Sequence, residues 1–450
     1  MKLFGTDGIR GRANHYPITP EVACRLGVLV GELFPGPEGR ARVLIGRDTR
    51  LSGPMLEAAL AAGLLSAGAE VIPLGVVPTP AVATLARSLS ATAGIVLSAS
   101  HNPYEDNGIK IFQASGYKCD DALEARIEAA LLSPEPPAAP RPDGAALGRV
   151  NPRGDAADLY VKAVLASWPA GLSLAGTRIV VDAANGAAFQ TTPAALRALG
   201  AEVLVFHDRP DGVNINAGCG STHPEVVEAL VREHKADFGL SHDGDADRLI
   251  ACDETGAALD GDEVLAVVGL HLLRAGALDG GGIAATVMSN LALDELFAAH
   301  GAAVHRSAVG DRAVLELMRE KGLVLGGEPS GHMICAAHAT TGDGLLSALQ
   351  LLRVMRETGK PLSALRAVLK KYPQLLVNVK VRERVPFSDL PEVGAALAAV
   401  EAEMGAQGRA FLRYSGTEPK VRLLLEAKEG ERLPVLAEKI LGPLKKAIGA

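Results

Sequence analysis

The chain has 450 residues, of which 48% are hydrophobic and 22% charged, and this length predicts roughly three globular domains, give or take one. Its formal net charge of −7, spread without long runs of one sign, excludes nucleic acid and an anionic membrane surface as main partners. Five scattered cysteines without a C-x-x-C pair argue against a disulfide framework or a zinc site, and with a start that lacks an apolar leader they predict a reducing cytoplasm.

One pattern occurs three times along the chain: an apolar strand, a polar turn, an Ala/Leu-rich helix and a Gly-Ala-x-Val step into another strand. The helices, each with the glycine that follows it, are 54–66 with Gly68, 191–199 with Gly200, and 291–300 with Gly301. These glycines stand where the end of a helix favours left-handed backbone. Strands that alternate with helices predict three similar α/β domains with largely parallel or mixed sheets, and polar residues after the strands are expected to carry the chemistry.

The remaining composition divides the chain further. The Pro-rich stretch 133–144 is expected to be a connector, and "DETGAALDGDE" (253–263) a turn-rich hairpin. After residue 370, short β-like runs surround a helix at 391–404, which predicts a smaller α+β domain. The predicted domains are 1–150, 151–256, 257–369 and 370–450.

The stretch "LSASHNPYEDNGIKIF" (97–112) starts as a buried strand and becomes polar at Ser100 and His101. Asn102-Pro103 predicts a sharp turn there, and Lys110 returns toward the same place. No G-x-S-x-G pattern surrounds Ser100, so an esterase is disfavoured. A Ser-His pair of this kind more often caps or stabilises a turn than takes part in catalysis. Ser98 is expected to be a small packing residue.

The stretch "LSHDGDADRLIAC" (240–252) carries Asp243, Asp245 and Asp247 in alternation. In extended backbone these carboxylates project to one side, and three oxygen ligands indicate a hard divalent ion such as Mg²⁺. A calcium loop is the alternative, because Glu254 completes its spacing. However, Arg248 stands where that loop needs glycine, and the flanks read as strands.

Two further clusters are weaker taken singly. In "LGGEPSGH" (325–332), Glu328, Ser330 and His332 alternate and suit the hydroxyls or amine of a sugar, although ordinary loops have similar compositions. In "RYSGTEPKVR" (413–422), arginine side chains, hydroxyls and backbone N–H groups suit a phosphate dianion, and a solvated surface turn is the alternative. The residues of this cluster are Arg413, Ser415, Gly416, Thr417 and Arg422.

Taken together, "SASHNP", "DGDADR", "GEPSGH" and "RYSGTEP" resemble, in this order, the four loops of the α-D-phosphohexomutase superfamily, and the similarity runs through the whole chain. The resemblance implies a four-domain, heart-shaped molecule with one loop from each domain at a central cleft. By motif, Ser100 matches the serine that carries the transferable phosphoryl group, and the three aspartates match Mg²⁺ ligands, with a phosphoserine oxygen as the fourth. The matching basic or proton-moving residues are Arg10, His101, Lys110, Arg248 and His332. Glu328 and Ser330 match sugar contacts, and the loop from Arg413 to Arg422 matches the site of the non-transferring phosphate.

The resemblance implies an isomerase with one Mg²⁺ per chain and a hexose 1,6-bisphosphate as activator. The stretches "FGTDGIRG", "NINAGCGSTHP" and "SGTEP" are similar to the branch that interconverts glucosamine-6-phosphate and glucosamine-1-phosphate and supplies UDP-N-acetylglucosamine for cell-wall precursors. A phosphomannomutase/phosphoglucomutase is the alternative specificity, and a Mg²⁺-dependent sugar phosphatase and a non-catalytic sensor are the other two functions. Pro329, His242 and Ala246 depart from the usual pattern, which bears on substrate preference. The oligomeric state stays open, a homodimer included.

Overall fold

The computed structural model describes residues 3–5, 7–36, 39–133, 141–414 and 419–450. It packs as two compact units, Met1–Val287 with His305–Val368, and Met288–Val304 with Leu369–Ala450. Within the described ranges no helix combines the length and the low polarity that crossing a bilayer requires. Most of the predicted connector 133–144 lies outside the described residues.

The first sheet has seven strands in the order β1-β2-β6-β5-β3-β4-β7. The strands are β1 (Phe4–Gly5), β2 (Gly8–Arg12), β3 (Arg42–Arg47), β4 (Glu70–Val76), β5 (Ala93–Leu97), β6 (Asp106–Gln113) and β7 (Arg149–Val150). The helices are α1 (Pro20–Leu33), α2 (Gly53–Ser66), α3 (Thr79–Ser88) and α4 (Asp121–Leu132). The strands β3, β4, β5 and β7 run parallel, whereas β6 is antiparallel to β5 and to β2. Because β3 and β5 are adjacent parallel strands, the loops that follow their carboxyl ends lie side by side.

The second sheet has the order β12-β11-β10-β8-β9. Its strands are β8 (Arg178–Asp182), β9 (Glu202–Phe206), β10 (Phe238–Ser241), β11 (Ile250–Asp253) and β12 (Ala258–Leu259). Its helices are α5 (Ala156–Leu165), α6 (Thr191–Ala198) and α7 (Pro224–His234). The strands β8, β9 and β10 are parallel, and β10, β11 and β12 pair antiparallel. The β11–β12 pair confirms the hairpin predicted for 253–263.

The third sheet has the order β14-β13-β15-β16. Its strands are β13 (Gly282–Thr286), β14 (Ala303–Ser307), β15 (Leu325–Gly327) and β16 (Met333–Cys335). The helices of this stretch are α8 (Gly261–Arg274), α9 (Ala292–Ala299), α10 (Asp311–Lys321), α11 (Gly344–Thr358) and α12 (Leu362–Arg366). The strand β15 is parallel to β13 and antiparallel to β16, so the polar turn between β15 and β16 is a hairpin turn.

The C-terminal sheet is antiparallel, in the order β17-β19-β18. Its strands are β17 (Gln374–Lys380), β18 (Gly408–Tyr414) and β19 (Lys420–Ala427), and its helices are α13 (Pro391–Met404) and α14 (Leu433–Ile448). Apolar residues of both helices and of all three strands form one core. The predicted helix 391–404 and the smaller α+β fold of this region are confirmed.

The three repeated α/β units are also confirmed, and the sheets are mixed, as predicted. Gly68, Gly200 and Gly301, which follow α2, α6 and α9, have φ of +81°, +94° and +76°. A residue with a Cβ is strained in this region, which explains glycine at the end of each helix.

Candidate active site

Ser100 lies three residues beyond β5, in a loop built on strained backbone. Its φ is +54°, in the left-handed region that non-glycine residues rarely adopt. The Ser100 N–H donates to Ser98 Oγ over 2.9 Å, and the Ser98 hydroxyl donates to Asp48 Oδ2 over 2.6 Å. Ser98 is fully buried, as expected of a small packing residue, and its hydroxyl also links the Ser100 backbone to a buried carboxylate.

Arg50 donates hydrogen bonds to the main chain of the same loop. It is fully buried, and its Nε donates to Asp48 Oδ2 over 2.8 Å. One terminal nitrogen, Nη2, donates to the carbonyls of Ser100 (2.9 Å) and Asn102 (2.8 Å). The other, Nη1, donates to the carbonyls of Pro103 and Asp106. All five N–H groups of the guanidinium thus have acceptors, three of them in the loop that contains Ser100 and one at Asp106, the first residue of β6.

The three aspartates that follow β10 come together around Ser100. Each offers a carboxylate oxygen, and these oxygens lie within 4.8 Å of one another. The expectation of extended backbone is wrong, because residues 244–246 form a turn in which Ala246 has φ of +56°. The Ser100 hydroxyl donates to Asp243 Oδ2, which joins the serine loop to the aspartate loop.

The aspartate loop is electrostatically strained without a cation. Burial and the charges of Asp247 and Asp245 raise the pKa of Asp243. Burial also opposes ionisation of Asp247, but Lys110 and the other nearby cations outweigh it and lower the pKa of that carboxyl. Within the described part of the chain, Oδ1 of Asp245 and Oδ1 of Asp247 are buried and accept no hydrogen bond. Clustered, unsatisfied carboxylate oxygens of this kind suit a hard divalent cation.

Gly244 lies against the serine loop so closely that a side chain does not fit. A Cβ there would lie 2.6 Å from Ser100 O, 2.7 Å from Ile215 Cδ1 and 2.9 Å from Asn216 Nδ2. We expect Gly244→Ala to destabilise the fold by about 1–3 kcal/mol and to displace Ser100. Chemical denaturation checks the stability, and a retained wild-type midpoint would contradict the prediction. The matched control is Ala246→Gly in the same turn, which relieves left-handed strain and should not destabilise.

Lys110, on β6, is buried among carboxylates. Its Nζ lies 2.8 Å from Asp7 Oδ2, 2.8 Å from Asp245 Oδ2 and 3.6 Å from Asp247 Oδ2. Burial lowers the pKa of this ammonium, but the three carboxylates outweigh burial and raise the pKa above the usual lysine value. Lys110 therefore remains a cation and is a poor proton acceptor near neutral pH.

Two arginines supply further positive charge beside Ser100. Arg10 Nη1 donates to the carbonyl of Ala99 over 3.3 Å, and Arg248 Nε lies 3.9 Å from Asp243 Oδ2. The Nε atoms of Arg10 and Arg248 are buried and donate no hydrogen bond within the described residues. Since a buried N–H without an acceptor is costly, both groups are suited to an anion at Ser100.

His101 is an uncharged neighbour of the serine. Burial, followed by the charges of Arg248 and Arg10, lowers the pKa of His101 to about 4. Its Nδ1 lies 3.4 Å from Ser100 Oγ. The imidazole is therefore neutral at physiological pH and can offer Ser100 a hydrogen-bond partner but no positive charge.

The hairpin turn between β15 and β16 joins this site. The Leu249 N–H donates to the carbonyl of Gly331 over 3.0 Å, and Arg248 and His332 form a β-bridge. Glu328 Oε1 accepts a hydrogen bond of 2.9 Å from the Gly310 N–H. Loops from three sheets of the first unit thus meet at Ser100.

Ser330 and His332 complete the turn. Ser330 Oγ is buried and has no hydrogen-bond partner among the described residues. Nδ1 of His332 lies 3.7 Å from Asp247 Oδ1, and its Nε2 lies 3.7 Å from Asp311 Oδ2. Burial lowers the pKa of His332, but Asp247, Asp311 and Glu328 outweigh burial and raise it to about 9. The N–H of Gly342, 3.1 Å from Nε2, opposes protonation at that nitrogen, but a single dipole is weaker than the surrounding carboxylate charges.

In the second unit, Arg413 on β18 and Arg422 on β19 are directly opposite each other in an antiparallel pair. Two guanidinium groups at one point of a sheet are suited to bind an anion together. Ser415, Gly416 and Thr417, which the sequence predicts to bind the same phosphate, lie outside the described residues.

The comparisons with known proteins cover almost the whole chain. Family profiles described as Phosphoglucomutase/phosphomannomutase, alpha/beta/alpha domains I, II and III and C-terminal domain, match residues 1–137, 158–256, 260–372 and 376–442. The chain belongs to the phosphoglucomutase/phosphomannomutase family. This confirms the predicted α-D-phosphohexomutase resemblance and the fold class.

Within the family, the chain is 50% identical over 437 residues to the phosphoglucosamine mutase of Desulfovibrio desulfuricans, with 97% of each chain covered. It is 51% identical over 439 residues to that of Desulforudis audaxviator, with 98% of this chain and 97% of the relative covered. A crystal structure of a phosphoglucomutase/phosphomannomutase family protein from Burkholderia thailandensis is 26% identical, with a TM-score of 0.81 over 99% of this chain and 97% of that one.

In this phosphoglucomutase/phosphomannomutase family member, sequence reasoning missed several residues that support the site. Asp48 and Arg50 belong to the turn "GRDTR" (46–50) at the end of β3. Asp7 pairs with Lys110 and with Lys118, and the Thr79 hydroxyl donates to Asp245 Oδ2 over 2.6 Å. The available signal for Arg50 and Asp48 was their position directly after β3, because functional residues commonly follow the carboxyl ends of parallel strands.

Proposed function

We propose that this enzyme interconverts glucosamine-6-phosphate and glucosamine-1-phosphate through a phosphoserine at residue 100 and a 1,6-bisphosphate intermediate. The observation that carries the proposal is the position of the Ser100 hydroxyl, which donates to Asp243 Oδ2. Around it lie two buried arginine Nε groups without acceptors in the described chain. The phosphoglucosamine mutase relatives, at about 50% identity, support the amino sugar as substrate.

Asp243, Asp245 and Asp247 are proposed to hold one Mg²⁺, with an oxygen of phosphorylated Ser100 as a further ligand. The residues fit the ion, because their carboxylate oxygens converge within 4.8 Å and two of those oxygens lack hydrogen bonds in the described chain. When bound, Mg²⁺ supplies electrostatic stabilisation of charge on phosphoryl oxygens.

The chain's own residues then act as follows. Ser100 Oγ gives up its phosphoryl group to a sugar hydroxyl: the P–Oγ bond breaks and a bond from phosphorus to the sugar oxygen forms. The sugar hydroxyl loses its proton and Ser100 Oγ gains one, so the net change moves one proton from the sugar oxygen to Ser100. Arg10, Lys110 and Arg248 stabilise the transferring group by charge. The bisphosphate reorients in the site so that its two phosphates exchange positions, and Ser100 Oγ takes the other phosphoryl group by the reverse step. His101 remains a neutral hydrogen-bond partner of Ser100.

Of the two proton carriers considered, His332 is supported and Lys110 is not. Lys110 has its pKa raised by the carboxylates around it, so it does not release or take a proton near neutral pH. His332 has a pKa of about 9 beside Asp247, and a divalent cation on Asp247 would lower it toward neutrality. A group that titrates near the working pH is suited to general acid–base catalysis.

The other proposed contacts are with the substrate. Glu328 and Ser330 are proposed to bind sugar hydroxyls or the amine, which the buried Ser330 Oγ without a partner in the described residues supports. The loop with Arg413, Ser415, Gly416, Thr417 and Arg422 is proposed to bind the non-transferring phosphate. Each role is proposed for one predicted domain: 1–150 carries the phosphoserine, 151–256 binds the metal, 257–369 binds the sugar and 370–450 binds the phosphate.

The test is a mutase assay of purified protein with Mg²⁺ and glucose 1,6-bisphosphate as activator, on glucosamine-6-phosphate and on mannose and glucose phosphates. We expect glucosamine-6-phosphate to be preferred by about tenfold or more in kcat/KM. A preference for either hexose phosphate would establish the alternative specificity. Inorganic phosphate as the main product would indicate a phosphatase, and no turnover at all a sensor.

Removal of the cation is expected to stop turnover. A chelator should lower activity by about 100-fold or more, because the carboxylates then repel one another and the phosphoryl charge is not neutralised. Added Mg²⁺ should restore activity and raise the melting temperature, since it binds only the folded site. In Asp247→Asn both responses to Mg²⁺ should weaken, whereas Asp279→Asn, at an exposed position, is the matched control. Full activity in the presence of chelator would contradict the metal assignment.

A further inference from the structure

A second group of metal-ligating side chains lies in the second sheet, apart from the aspartate loop. Asp182 ends β8, His207 follows β9, and Cys219 lies in the loop before α7. Each offers one ligand atom, and the three atoms lie within 4.8 Å of one another. Asp182 and Cys219 are fully buried, whereas the side chain of His207 is 35% exposed, so the group is reached from solvent on the imidazole side.

The carboxylate of Asp182 is fixed in place by its neighbours. Its Oδ1 accepts from the N–H of Ala184 (3.0 Å) and lies 2.9 Å from His207 Nδ1. Its Oδ2 accepts from the N–H of Gly220 over 2.7 Å and from the Ser241 hydroxyl over 3.3 Å. A ligand held rigidly from several segments loses little entropy when an ion binds to it.

Hydrogen bonds fix the position of the Asp182 carboxylate, but they do not explain the position of the Cys219 thiol. Burial, and then the charge of Asp182, raise the pKa of Cys219 to about 12. No hydrogen bond to its sulfur occurs within the described ranges. A simple Asp182–His207 hydrogen bond accounts for the position of the imidazole, but it does not account for a buried thiol directed at the same point.

We propose that Asp182, His207 and Cys219 bind a borderline transition-metal ion of the Zn²⁺ class, as a site separate from the Mg²⁺ site. The donors are one carboxylate oxygen, one imidazole nitrogen and one thiolate, with the fourth tetrahedral position open to water. On binding, the thiol proton leaves to solvent, and the imidazole coordinates through Nδ1 while its remaining proton is on Nε2.

The geometry needs only a small contraction. Zn²⁺ ligands lie about 2.0–2.3 Å from the ion, so donor atoms stand roughly 3.3–3.7 Å apart. Oδ1 and Nδ1, at 2.9 Å, separate slightly, and the sulfur approaches by at most about 1.5 Å from the observed limit of 4.8 Å. Mg²⁺ does not compete, because a hard ion disfavours thiolate and imidazole. The sequence did not indicate this site, because its ligands come from three distant segments and not from a C-x-x-C pair.

The test uses full-length protein in excess Mg²⁺, titrated with Co²⁺ as a spectroscopic substitute for Zn²⁺. We expect a thiolate-to-cobalt charge-transfer band that saturates at one equivalent, with d–d bands of the intensity typical of tetrahedral cobalt. Zn²⁺ should displace the cobalt and abolish both signals. Absence of the charge-transfer band in the wild-type protein would overturn the proposal without any variant.

Variants then assign the ligands. Cys219→Ser should lose the charge-transfer band, and His207→Asn should weaken Co²⁺ binding by about tenfold or more. Cys252→Ser, which removes another buried thiol, is the matched control and should leave the band unchanged. Asp243→Asn, in the Mg²⁺ site, should also retain it. Circular dichroism melts identify a misfolded variant, and a band that persists in folded Cys219→Ser would overturn the assignment.

Discussion

Replacement of Ser100 by alanine is expected to reduce mutase turnover by roughly 10³-fold or more, because the phosphoryl group then has no oxygen to which it can be attached between the two transfers. The variant should fold, since the Ser100 backbone N–H and carbonyl keep their partners Ser98, Arg50 and Asn216. Two measurements check the prediction: turnover of glucosamine-6-phosphate, and incorporation of label from radioactive glucose 1,6-bisphosphate into the protein.

The control for Ser100→Ala is Ser115→Ala, at an exposed position, which should retain both turnover and labelling. Mg²⁺ should still raise the melting temperature of Ser100→Ala, because the three aspartates remain; this separates loss of the hydroxyl from loss of the metal site. Wild-type turnover or labelling in Ser100→Ala would show that the transferable phosphoryl group is carried elsewhere.

Replacement of Arg50 by lysine is expected to have the second largest effect. Lysine has three N–H donors on one atom, whereas Arg50 uses five in a planar fork, so at least two of its buried hydrogen bonds are lost. At about 1–3 kcal/mol for each lost partner, the free energy of unfolding should fall by roughly 3–5 kcal/mol. Because the loop that carries Ser100 loosens, kcat should fall by about 100-fold while KM for the sugar phosphate changes little.

The matched control for Arg50→Lys is Arg47→Lys, at the last residue of β3 and three positions before Arg50. Arg47 is half-buried and makes one ion pair, 2.9 Å to Glu57 Oε2, so its replacement should cost less than about 1 kcal/mol and leave kcat unchanged. Denaturant titration and steady-state kinetics of both variants provide the comparison. If Arg50→Lys raises KM and leaves kcat intact, Arg50 does not position Ser100.

Features decided by neighbouring residues could be predicted from the sequence. The left-handed glycines after three helices, the helix 391–404 and the aspartate cluster each depend on residues a few positions apart. The conformation of the aspartate loop could not be predicted. Alternation suggested extended backbone, but the left-handed Ala246 makes a turn, and this turn brings Asp243 to the Ser100 hydroxyl.

Contacts between distant segments were also out of reach. Arg50 and Ser100 are fifty positions apart, and they meet because β3 and β5 are adjacent in the sheet. The sequence does not reveal which parallel strands are neighbours, so it predicts neither the contacts of Arg50 nor the hydrogen bond from Ser98 to Asp48. Lys110 was found because it follows Ser100 closely, whereas its partner Asp7 was not, since it comes from the other end of the first domain.

The main chain of Ser100 has its own hydrogen bonds, separate from the one that Oγ donates to Asp243. Arg50 and Asn216 bind the carbonyl oxygen of Ser100, and Ser98 binds its N–H, so none of these contacts involves Oγ. Gain or loss of a phosphoryl group on Oγ therefore leaves the hydrogen bonds of the Ser100 main chain intact. In a cycle that donates one phosphoryl group and recovers another, the same main-chain hydrogen bonds therefore serve both half-reactions, with little reorganisation of the backbone.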